Sequence, residues 1–78
     1  METKIEVMKY LRQYVNGNTE AIEDIYHLCR LDRESLEYFC NKAKAEILSA
    51  TRAAISYDGA RNAKQAILKK YTGKILGE

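Results

Sequence analysis

Apolar residues recur along this chain at helical intervals, interrupted by short polar stretches. Between Thr3 and Val15, the positions Ile5, Met8, Leu11 or Arg12, and Val15 follow the helical period, and Val7, Tyr10 and Tyr14 widen the stripe. The pattern predicts a first helix over about 3–15. It stops at Asn16-Gly17-Asn18, where Gly17 can take the left-handed conformation that closes a helix. Asn18 or Thr19 is then expected to cap a second helix over 19–30, with Glu20, Glu23 and Asp24 in a first turn whose dipole favours negative charge. Ile22, Ile25, Tyr26 and Cys29 give that helix its apolar face, and Leu31-Asp32 breaks it.

The third predicted helix, 33–57, has the clearest start. Asp32 is a good N-cap, and Leu31 and Leu36 stand at the positions of a hydrophobic staple. From Leu36 the apolar positions run Leu36, Cys40, Ala43, Ile47, Ala50, Ala54 and Tyr57, with spacings of 4, 3, 4, 3, 4, 3. Such a seam serves either as the inner face of a core helix or as an oligomer or partner seam. Asp58-Gly59 is read as the stop of this helix. A fourth helix over 60–72 buries Ala63, Ile67, Tyr71 and Leu68, ends at Gly73, and leaves residues 74–78 frayed.

The chain has no proline and only four glycines. A strand-rich fold needs turn residues every 8 to 12 positions or so, so the pattern favours helices. The expectation is an all-α compact bundle of four helices, one domain spanning 1–78. Hydrophobic residues at 46% are too many for a disordered chain. No apolar run approaches the roughly 18 residues of a membrane span, and METKIEVMKYLRQ is too charged for a signal-peptide core. A cytoplasmic protein with reduced Cys29 and Cys40, packed as small hydrophobes, is expected.

Charge divides unevenly. Residues 1–40 carry eight acidic and five basic side chains, a balance of −3, whereas residues 41–78 carry eight basic and three acidic ones, a balance of +5. The second half suits an anionic partner, or head-to-tail attraction between copies. The catalytic inventory is poor. His27 is the one histidine, and His27 and Cys29, two apart on a helix, diverge; with only Cys40 as an obvious third ligand, a zinc site is not expected. Glu20, Asp24, Glu34 and Glu37 read as residues of helix starts, and phosphate-loop, dinucleotide and nucleophile-elbow motifs are missing from the sequence. No enzyme, no catalytic residue, no metal and no cofactor are expected. Six tyrosines and Phe39 supply the aromatic content, suited to a thin core or to an interface.

Binding is the better prospect. Arg52, Arg61, Lys64, Lys69, Lys70 and Lys74 straddle the Asp58-Gly59 turn, and Arg61, Asn62 and Gln65 are residue types that read base edges from a recognition helix. Locally, ATRAAISYDGARNAKQAI (residues 50–67) resembles the helix-turn-helix of phage terminase small subunits, with their AT-x-A-A-I first helix and alanine-rich second helix. The family's turn carries glycine where Ser56 stands here, and this turn is shortened. The resemblance covers about a quarter of the chain and implies DNA contact by Arg61, Asn62 and Lys64. The expected function is therefore a small non-enzymatic binding protein of regulatory or phage-like type, contacting nucleic acid through Arg52, Arg61, Asn62, Lys64, Gln65 and Lys69. The alternative is a helical protein–protein interaction module, an adaptor or inhibitor. It would dock by its acidic half or form homo-oligomers through Leu36, Cys40, Ala43, Ile47, Ala50 and Ala54.

Overall fold

The computed structural model of the protein describes residues 2–78. Four helices succeed one another: α1 (Glu2–Val15), α2 (Ala21–Leu28), α3 (Arg33–Ala53) and α4 (Tyr57–Leu76). The described residues contain no strand, and the all-α four-helix bundle expected from the pattern is the architecture found.

The core-facing side of α1 is Val7, Leu11 and Tyr14, each at most 8% exposed, whereas Ile5 is 70% exposed and Met8 and Val15 are half-buried. This corrects the stripe through Ile5. Both stripes have helical spacing, but the one through positions 5, 8, 12 and 15 would bury Arg12, and an unpaired buried guanidinium costs far more than an exposed isoleucine. Helix α1 closes with Gly17 at φ 115°, the Gly17 N–H donating to Tyr14 and the Asn18 N–H to the Gln13 carbonyl at 2.9 Å. Neither Asn18 nor Thr19 caps α2 by its side chain. Their carbonyls accept from Ala21 and Ile22, and Glu20 is an N-cap residue without a side-chain cap. Asp32 does cap α3, accepting from the Ser35 N–H at 3.2 Å.

The α3–α4 boundary falls earlier than the sequence suggests. Helix α3 ends at Ala53, and Ser56 is the N-cap of α4, its hydroxyl oxygen accepting from the Gly59 N–H at 3.0 Å. Asp58 and Gly59 therefore stand in the first turn of α4 and do not stop α3. Asp58 suits the dipole there, and Gly59 has no positive φ. Gly73 is also interior. The helix runs on to Leu76 and closes at Gly77 (φ 78°), with Glu78 N–H donating to the Gly73 carbonyl at 2.8 Å and Gly77 N–H to Lys74 at 3.3 Å. This Schellman pattern, also seen at Gly17, satisfies the last carbonyls. Residues 74–78 are thus ordered rather than frayed, and Ile75 is 2% exposed.

Leu36, Cys40, Ala43 and Ile47 are buried inside the chain's own core, Ala50 is half-buried, and Ala54 lies beyond the end of α3. Four members of the predicted seam are accordingly core; Tyr57, its expected last member, is 81% exposed on α4. On α4, Leu68, Tyr71, Thr72 and Ile75 are buried, while Ala63 and Ile67 are half-buried.

Helices α3 and α4 form the most extensive helix pair and lie side by side. Far from their connection, the Phe39 and Tyr71 rings are 6.4 Å apart, the Tyr71 hydroxyl donates to Glu46, and Lys70 pairs with Glu46 at 2.9 Å. Helix α1 runs antiparallel to α4. Lys4 meets Glu78 at one end, while Arg12 meets Gln65 and Asn16 meets Lys64 at the other.

Candidate nucleic-acid interface

Of the six residues singled out for nucleic-acid contact, Lys64 is half-buried and the other five are exposed. Arg61, Lys64 and Gln65, one and two turns into α4, line a cavity of about 370 Å³, while Arg52, Asn62 and Lys69 lie outside its lining. Across the cavity stand Arg12 from the last turn of α1 and Thr51 from the last turn of α3, with Tyr57 beside them. Three helices thus meet at one concavity.

Arg12 belongs to the acidic half of the sequence and stands outside the basic run. The signal for it was its place among apolar residues: a cation at the edge of a hydrophobic stripe is half-buried by the packing and is aimed along a helix–helix crevice. Its position in the last turn of α1 is also favoured by the helix dipole.

What sets the junction apart is the gathering of three cations at one concavity. Among the described residues, Lys4 pairs with Glu78, Arg33 with Glu23 and Glu37, and Lys70 with Glu46. Arg12, Arg61 and Lys64, like most of the other cations, join no ion pair among the described residues, and no described carboxylate lines their cavity. Two of the three cations are nonetheless held. Arg12 Nη2 donates to Gln65 Oε1 at 3.1 Å, and Lys64 Nζ donates to Asn16 Oδ1 at 2.6 Å. A neutral amide oxygen fixes the direction of a cation without cancelling its charge. Both side chains are half-buried, where an anion would be attracted more strongly than in bulk water. The arrangement can bind and orient an anion.

The remaining reactive groups are placed differently. Burial, with a smaller contribution from Cys29, pushes the Cys40 thiol up to about 12, so it stays protonated near neutrality. His27 is exposed at the end of α2, and no cluster of three or more potential metal ligands forms among the described residues. The Thr51 hydroxyl is within hydrogen-bond distance of the Ile47 and Leu48 carbonyls of its own helix, at 2.9 and 3.1 Å.

No helix of the described residues is long and apolar enough to cross a membrane. Comparison with protein-family models, with curated proteins and with solved structures finds no match to this chain.

Proposed function

We propose that the protein is a small, non-enzymatic nucleic-acid-binding protein, of regulatory or phage-like type, that grips phosphate at the α1/α3/α4 junction. The observation that carries this reading is the set of three cations, Arg12, Arg61 and Lys64, around one cavity without a carboxylate. The local resemblance of residues 50–67 to a DNA-binding helix pair points to the same corner. Phosphate contacts release counterions, so affinity for DNA falls steeply with added salt. The double variant Arg61→Glu/Lys64→Glu is expected to abolish binding. Single neutral substitutions at either position reduce the slope of log affinity against log salt by about 1 each. A mobility assay with labelled DNA at two salt concentrations checks this, and unchanged mobility at low salt sinks the reading.

A second reading has its own support. Ile5, exposed and flanked by Met8, lines an adjoining crevice of about 520 Å³ that shares Arg12 with the junction. An apolar patch rimmed by cations suits a protein partner with an acidic border. This reading predicts a mass in solution above the 9.0 kDa of one chain, or a co-purifying protein.

A further inference from the structure

We infer that the junction receives the terminal phosphate of a nucleic-acid strand, a phosphomonoester, in preference to an internal phosphodiester. The inference rests on the nucleic-acid reading and goes further by naming the part of the strand that is bound.

The first argument is charge matching. An internal phosphodiester carries one negative charge, whereas a phosphomonoester carries about −1.5 to −2 near neutrality. Arg12, Arg61 and Lys64 converge on one cavity, and no carboxylate on its lining balances them. These three line one space, with Arg52 and Lys69 outside its lining, so their charge can be shared by a single group. The second argument is preorganisation. Gln65, which itself lines the cavity, and Asn16 hold Arg12 and Lys64 by amide oxygens, so two of the charges are restrained before a ligand arrives and are not neutralised. The third is the rim. Tyr57 lines the same cavity and is 81% exposed, which leaves its ring free to stack on the base next to the seated phosphate.

The test uses three short single-stranded oligonucleotides of one sequence, with a 5′-phosphate, a 3′-phosphate, or hydroxyls at both ends, read by fluorescence anisotropy. At least one phosphorylated oligonucleotide is expected to bind about tenfold or more tightly than the unphosphorylated one, as charge-assisted hydrogen bonds to the extra charge imply. Gln65→Glu and Asn16→Asp supply the discriminating variants. Each replaces an amide oxygen that already contacts a cation with a carboxylate oxygen, so melting temperature is expected to hold or rise while the preference disappears. Lys44→Gln, on the exposed side of α3, is expected to keep the preference. Equal binding of all three oligonucleotides overturns this inference and leaves the nucleic-acid reading standing. Retention of the preference in both carboxylate variants also overturns it. Absence of binding by every oligonucleotide overturns both.

Discussion

Tyr71 is 3% exposed, yet its hydroxyl reaches the Glu46 carboxylate at the edge of the α3–α4 contact. Burial first, and then Glu46, pushes Tyr71 up to about 12, while hydrogen bonds from Lys70 and then Tyr71 hold Glu46 below the usual carboxylate range. A tyrosine whose folded value lies above its ordinary 10.0 favours the fold fully below that value, and this contribution is lost as pH rises through about 12. Cys40 behaves alike between its ordinary 9.0 and about 12. The fold is therefore expected to weaken across the alkaline range. Glu46 has the opposite sign: its contribution is present above the ordinary carboxylate value and lost on acidification. Tyr71→Phe should lower stability at neutral pH by about 1 kcal/mol, the usual net worth of a hydrogen bond. It should also make the decline between pH 10 and 12 shallower, because only Cys40 then titrates in that window among these two groups. Thermal melts across that range check both effects.

At the scale of elements, the start of α4 depends on Ser56. Ser56→Ala removes the acceptor for the Gly59 N–H and should destabilise the protein by about 1 kcal/mol. A Cβ added at Gly59 would stand 3.1 Å from the Ser56 hydroxyl oxygen, so Gly59→Ala crowds the cap as it gains helix propensity. The two substitutions are expected to be non-additive: Gly59→Ala should stabilise more in the Ser56→Ala background than alone. A double-mutant cycle by denaturant unfolding measures the coupling. The cap at Asp32 and the stop at Gly17 were legible because one local interaction decides each. At Gly59 and Gly73 glycine permits termination but does not require it. Ser56 supplied a side-chain cap three residues before Gly59, and Gly77 supplied the left-handed residue beyond Gly73. The side of α1 that turns inward was ambiguous for another reason. Two stripes had the same period, and the choice between them rests on tertiary packing around Arg12.

Over the whole molecule, which extends 37 × 23 × 19 Å, the two charge-biased halves of the sequence do not remain two halves in space. Antiparallel packing of α1 on α4 brings Arg12 out of the acidic half to Arg61 and Lys64, while Glu46 of the basic half neutralises Lys70. Part of the candidate site was therefore legible as a basic run, but its convergence was not, because contacts such as Arg12–Gln65 join residues 53 positions apart. The Asn16–Lys64 contact also ages. Asn16 precedes Gly17, where no Cβ hinders the backbone nitrogen: once released from Tyr14, that nitrogen attacks the Asn16 side-chain carbonyl and expels ammonia, and water opens the resulting cyclic imide to aspartate or isoaspartate. That slow chemistry would place a carboxylate opposite the Lys64 ammonium. Protein aged under warm, mildly alkaline conditions is expected to stay helical while its affinity for nucleic acid declines in step with the deamidated fraction seen by mass spectrometry. Full binding by fully deamidated protein would contradict this. Asn16 would then act as a chemical clock that sets how long the junction can hold an anion.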